Sequence, residues 1–120
     1  MDDIFIGNDL VEVSRIEKSI NSLGKKFLDR IYTEVEQHYC QSKPHPSIHF
    51  AGRFAAKEAI IKAMQSSGYN KPIPFSSIAI HSGKNGEPIV FLDFTCNGKC
   101  KLTISHTDKY AIASAIYIKK

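Results

Sequence analysis

The sequence predicts an α+β fold, with helices packed on one face of a mostly antiparallel sheet. Three observations lead there. A long helical stretch occupies the middle, Phe50 to Met64, reading FAGRFAAKEAIIKAM. Two Ser/Thr-x-x-Glu capping patterns precede it, at Ser14–Glu17 and Thr33–Glu36; each is a helix-start signal. Behind it come alternating apolar runs separated by Asn85-Gly86 and Asn97-Gly98, the turn dipeptides that favour hairpins. A run of helices followed by a run of strands is the pattern of an α+β domain.

The chain begins with a strand from Asp2 to Val13, in which Ile4 and Ile6 alternate ahead of Gly7-Asn8-Asp9. The Ser14–Glu17 box is expected to open a short helix ending near Gly24. Lys25 to Ile31 buries Phe27, Leu28 and Ile31, and the Thr33–Glu36 box starts a further helix reaching about Gln41. Lys43-Pro44-His45-Pro46 is a rigid basic break, after which Ser47 is the expected N-cap of the central helix and Gly68 its stop. Strands are then expected at Ser77–His81, Pro88–Phe94, Lys101–His106 and Tyr110–Ile118, in antiparallel succession. There is no internal repeat or low-complexity linker, so residues 1–120 are read as one domain.

Composition narrows the class. With 42% hydrophobic and 23% charged residues, the chain has the balance of an ordinary globular protein. No apolar run approaches the ~20 residues of a membrane span, and the acidic start MDDIFIGND lacks a signal-peptide pattern. Those features are read as cytoplasmic, with no membrane partner. Three cysteines cannot all pair within the chain, and the Cys96-x3-Cys100 pair has no second ligand pair of zinc spacing; reduced thiols are expected. A formal net charge of +4 calls for an anionic partner. No RNP-like aromatic motif, zinc finger or basic block supports nucleic acid.

The central helix carries the chemistry. Phe50, Phe54, Ile61 and Met64 share one bulky arc, and Ala51, Gly52, Ala55, Ala56, Ala59 and Ala63 cover much of the rest. A helix apolar nearly all round is normally buried, yet Arg53, Lys57, Glu58 and Lys62 lie on it. Unpaired buried charge is costly, so charged groups are expected to meet this helix. Glu58 and Lys62 also form an ordinary i,i+4 pair, and long basic side chains reach water from partly buried positions. Asp9, just beyond Gly7, reads by itself as a turn residue before it reads as a ligand. Taken together, Asp9 and Glu58 suit Mg²⁺, which takes few protein carboxylates and leaves places for phosphate oxygens and water. Arg53, Lys57, Lys62 and His106 would add positive charge to the same phosphates. Displacement at phosphorus fits this set. A non-catalytic module binding an anion would not need the two carboxylates, and no Walker-type glycine loop marks a nucleotide phosphotransferase.

At these residues the sequence resembles the holo-acyl-carrier-protein synthases, a family of 4′-phosphopantetheinyl transferases. The family's G-x-D-x5-R-I pattern is matched by Gly7, Asp9, Arg15 and Ile16, and its long F-A-x-R-F-A-A-K-E-A-x2-K-A pattern by Phe50 to Ala63. The closing S-H-x3-Y-A pattern is matched by Ser105, His106, Tyr110 and Ala111. The resemblance implies the 4′-phosphopantetheinyl transferase fold and transfer of the phosphopantetheine arm of coenzyme A to a serine of an apo-acyl carrier protein, in support of fatty acid biosynthesis. It further implies Mg²⁺ on Asp9 and Glu58, catalysis by Asp9, Glu58 and Lys62, and coenzyme A contacts from Arg53, Lys57, Gly86, Pro88, Ser105 and His106. A homotrimer with active sites between subunits and an acidic carrier docking near Arg15 complete the expectation. Asn8, where the family is commonly apolar, and Gln65-Ser66-Ser67-Gly68, in place of a glycine-richer loop, depart from the pattern.

Overall fold

A computed structural model describes residues 3–120. The elements run β1 (Asp3–Glu12), α1 (Val13–Leu23), α2 (Lys25–Ile31), α3 (Glu34–Gln41), α4 (Pro46–Ser66), a short 3-10 turn (Phe75–Ser77), β2 (Ile78–Ser82), β3 (Pro88–Leu92), β4 (Gly98–His106) and β5 (Tyr110–Lys119). The expected start of β1 at Asp2 lies outside the described residues. The α+β class holds, but the strands divide into two sheets rather than one succession. β1, β5 and β4 form an antiparallel sheet with β5 central, and β2 and β3 form a separate hairpin. β1 pairs with β5 along its whole length, from Asp3 opposite Lys119 to Glu12 opposite Tyr110.

Two helix starts differ from the sequence reading, each for a local reason. α1 begins at Val13 with no side-chain cap, and the Ser14–Glu17 box does not form. The Val13 amide instead donates to the Lys109 carbonyl (2.8 Å), so a tertiary bond satisfies a first-turn donor that a cap would otherwise take. α4 begins at Pro46, not after Ser47. Proline has no N–H to leave unsatisfied and its φ suits the first helical position; what reads as a break is a helix start. The Thr33–Glu36 box does form, in both directions.

α4 is the core element, packed across the inner face of β1, β5 and β4. Ala51, Ala55, Ala59 and Ala63 are fully buried, as are Ala111, Ala113 and Ala115 on β5. Small residues on both partners bring backbones close, and Gly7 marks the limit of that approach. A Cβ on Gly7 would run into the Ala59 carbonyl oxygen and lie 2.7 Å from the Ala63 nitrogen. Both obstacles are backbone, so β1 would have to move off α4. Gly7→Ala is therefore expected to cost at least about 2 kcal/mol in chemical denaturation, in the upper range for overpacking. A change within ~0.5 kcal/mol, typical of neutral surface sites, would rule out the close approach.

Candidate active site

The closeness set by Gly7 brings Asp9 to α4. Along β1, Gly7, Asp9 and Val11 alternate toward the helix while Ile4, Ile6, Asn8 and Leu10 point away. Glu58 and Lys62 stand one turn apart on α4. Lys62 Nζ lies 3.1 Å from Asp9 Oδ1 and donates to the Asn8 carbonyl at 3.0 Å. The Lys62 side chain is 51% exposed and that of Asp9 15%, so solvent screens the pair and its own contribution to stability is small. Glu58 is half-buried, and its carboxyl is held above the ordinary range, by burial first and by the Asp9 charge second, with Lys62 opposing. Asp9 and Glu58 open on a cleft of about 340 Å³ whose walls include Arg15, Phe27 and Phe54.

A carboxyl whose proton affinity is raised by burial and by a neighbouring carboxylate is a place a cation fits. Among the described residues there is no cluster of three or more His, Cys, Asp or Glu side chains. A two-carboxylate set leaves most coordination positions to water and ligand oxygens, which suits a hard cation.

A second cluster gathers on another side of α4. Arg53 is displaced from Glu58 by about 140° around the helix at ~100° per residue. It lines a cavity of about 170 Å³ with Gly86, Pro88 and His106, all expected residues, and with Tyr39, His49 and Ser82, which sequence reasoning missed. The Arg53 guanidinium lies over the Tyr39 ring (4.2 Å to the centroid) and donates to Ser82 Oγ at 3.3 Å. Arg53 is only 7% exposed, and its Nε–H has no partner. Buried donors are normally satisfied, so this guanidinium is set up for an acceptor the protein does not itself provide. The β2–β3 turn delivers Gly86 and Pro88. Gly86 has φ 83°, a left-handed conformation that glycine adopts without steric cost, and its amide donates to the Gly83 carbonyl at 3.0 Å.

Two expected residues go elsewhere. Lys57, expected at the phosphates, is fully buried one turn beyond Arg53, on the side of α4 that packs against α3. Its ammonium donates to the Glu36 carboxylate (2.7 Å), the Ile31 carbonyl (2.6 Å) and the Phe75 carbonyl (3.1 Å). An ammonium has three protons, and all three are taken. Ser105 falls between Ile104 and His106 on β4, so strand alternation turns it to the other face of the sheet, away from the Arg53 cavity. The missed residues had one sequence signal: His49 precedes Arg53 by four positions, on the same helical line.

Residues 5–115 match the family model of the 4′-phosphopantetheinyl transferase superfamily. A holo-[acyl-carrier-protein] synthase of Protochlamydia amoebophila is 38% identical over 117 residues, covering 93% of this chain and 95% of that protein. One from Chloroherpeton thalassium is 41% identical over 115 residues, covering 92% and 94%. Among solved structures, a Bacillus anthracis holo-(acyl-carrier-protein) synthase in complex with CoA (3′,5′-ADP) superimposes with a TM-score of 0.82 at 33% identity, covering 97% of this chain and 96% of its own. A Helicobacter pylori holo-[acyl-carrier-protein] synthase in complex with coenzyme A gives a TM-score of 0.80 at 33% identity, covering 93% and 98%. With its fold, its three ordered motifs and both clusters accounted for, the chain belongs to the holo-acyl-carrier-protein synthase family of 4′-phosphopantetheinyl transferases.

Proposed function

We propose that this protein transfers the 4′-phosphopantetheine group of coenzyme A to a serine of an apo-acyl carrier protein, releasing adenosine 3′,5′-bisphosphate, and so supports fatty acid biosynthesis. The observation that carries the reading is the meeting of Asp9 and Glu58 at one cleft, with Lys62 paired to Asp9 at 3.1 Å, in a chain whose relatives bear that activity in their names. Asp9 and Glu58 would hold Mg²⁺, whose charge would offset that of the diphosphate. Lys62 reaches the same point as an ammonium and stabilises charge on the transferred phosphoryl group. It already donates to the Asp9 carboxylate and the Asn8 carbonyl, so Lys62 is a poor candidate for the base that takes the serine proton. Arg15, exposed on the wall of this cleft, is the cation suited to an acidic carrier.

The two clusters sit on different sides of α4 and share no lining residue. That separation supports active sites formed between subunits, with Asp9, Glu58 and Lys62 from one chain facing Arg53, Gly86, Pro88 and His106 of the next. The outer face of the β1-β5-β4 sheet supports the same reading: Ile4, Ile6, Leu10, Tyr110 and Ile112 are all exposed there. A contiguous apolar face of this kind marks an interaction surface. Across it runs one polar layer, in which Ser114 Oγ donates to Asn8 Oδ1 at 2.6 Å. Asn8, the departure from an apolar position, thus arrives with its own partner. The expected assembly is a homotrimer, and light scattering at micromolar concentration should return three times the monomer mass. A monomer mass would refute it.

The activity itself is tested by incubating the protein with coenzyme A, Mg²⁺ and apo-carrier and weighing the carrier by mass spectrometry. The expected result is a carrier heavier by one phosphopantetheine, dependent on Mg²⁺. An unmodified carrier, with coenzyme A and metal both in excess, would overturn the proposal.

A further inference from the structure

We propose that His49 is a titrating wall of the Arg53 cavity, its imidazole taking up a proton from solvent when a phosphate group of coenzyme A enters beside His106. The inference rests on the coenzyme A reading above and adds to it a residue and a pH dependence. His49 lies on the first turn of α4, between two rings that fix its orientation. Its centroid is 6.0 Å from Tyr39 at an interplanar angle of 82°, and 5.7 Å from His106 at 67°. Four residues on, the buried Arg53 leaves its Nε–H unpartnered at the same cavity. That orphan donor independently points to an acceptor from outside the protein.

The charges around His49 explain why it would respond. Lys43 and His45 precede α4, Arg53 follows on it, and His106 comes from β4; among the described residues Tyr39, on α3, is the other titratable group in the cavity wall. The β2–β3 turn carries Lys84 and Glu87, but the Glu87 carboxylate is turned back onto the Asn85 amide (2.9 Å). Burial first, and then His106, Lys43, Arg53 and His45, hold His49 below its ordinary proton affinity. Among the described residues, no carboxylate figures among these influences to oppose them. His49 is therefore neutral at pH 7 in the free protein. A phosphate entering the cavity reverses the local field and favours the imidazolium. The sign follows: binding takes up a proton, so affinity rises as pH falls, through the window between the lowered free value and the higher bound one.

Calorimetric titration with coenzyme A between pH 6 and pH 8, in buffers of different ionisation heat, tests this on the wild-type protein and on His49→Phe, which keeps an aromatic ring and loses the proton. Wild-type protein is expected to take up a larger fraction of a proton near pH 7. Its affinity should weaken severalfold more than the variant's from pH 6 to pH 8, within the limit of about tenfold per pH unit for one proton, and the two should converge at pH 8. A 3′-dephospho-coenzyme A arm identifies the phosphate: if the difference vanishes, the 3′-phosphate is the partner, and if it persists, the diphosphate is. Equal proton uptake and parallel pH profiles would overturn the proposal. If coenzyme A does not bind the wild-type protein, the functional reading fails by itself. Pyrophosphate in the same protocol then decides His49 separately, by the same difference or its absence. Should His49→Phe melt early, the His49 ring resonance of the wild-type protein, followed across pH with and without coenzyme A, reads the same proton, and an unmoved titration sinks the inference.

Discussion

Lys57→Ala is expected to destabilise the fold by about 3–5 kcal/mol, the loss found when one partner of a buried ion pair is removed. That is a large part of the roughly 5–15 kcal/mol that holds a domain together. Glu36 is the reason for the size of the effect. Both side chains are wholly buried, and Glu36 serves three elements together. Its Oε1 accepts from the Thr33 amide, closing the cap of α3, and from Lys57 on α4, while its Oε2 accepts from the Ile80 amide of β2 (2.7 Å). Without the ammonium, a carboxylate would stand buried beside a cavity, and the Ile31 and Phe75 carbonyls would lose their donor. Burial lowers the proton affinity of Lys57 and Glu36 opposes that, so the charge of Lys57 depends on the partner. Lys57→Arg should not rescue, because a planar guanidinium does not fit three acceptors arranged around a point charge. Denaturant unfolding checks the loss. An alanine variant of native stability that fails to bind coenzyme A would return Lys57 to the phosphate site.

The contrast between Lys57 and Arg53 shows what was legible in the sequence and what was not. The helical wheel already puts Lys57 within the bulky arc of Phe50, Phe54, Ile61 and Met64, which is the signature of a buried lysine. Its partner was legible only as the end of a capping box, since nothing local says that Glu36 would reach across to α4 and β2. The α4 pattern shows the core helix by its small and bulky faces, while Pro46, which reads as a break, opens the first turn that proline suits. Strand positions followed from alternation and from Asn-Gly turns. The pairing of β1 with β5 did not, because alternation records which face a strand buries and not which strand lies beside it. Ser105 and His106 adjoin in sequence and lie on opposite faces, a consequence of the strand period that motif matching overlooks. Asp9 and Glu58 were legible as a pair because their carboxylates are out of place in apolar surroundings. Their separation from the Arg53 cavity was not, since it depends on how α4 is turned against its neighbours.

Asp9→Asn and Glu58→Gln are each expected to lower phosphopantetheine transfer on the order of a hundredfold or more, as loss of a metal ligand or of transition-state electrostatics does. The fold should survive both. The Asp9 charge raises the proton affinity of Glu58 rather than stabilising the chain, and neither residue belongs to the buried network of Glu36 and Lys57. Relief of the Asp9–Glu58 repulsion should leave Glu58→Gln at least as stable as the wild-type protein in the absence of divalent ions. Mg²⁺ should then raise the melting temperature of the wild-type protein and not that of either variant, a readout independent of turnover. Lys62 provides the contrast. Lys62→Ala frees the Asp9 carboxylate from its present partner at 3.1 Å, so Mg²⁺ stabilisation should persist while transfer falls. Lys62→Arg, which keeps the positive charge, should retain appreciable activity. If the arginine variant is as inactive as the alanine one while coenzyme A binds normally, Lys62 acts on the serine proton and not on the phosphate. Near-normal turnover by Asp9→Asn or Glu58→Gln, with the Mg²⁺ melting shift intact, would remove that residue from the metal site.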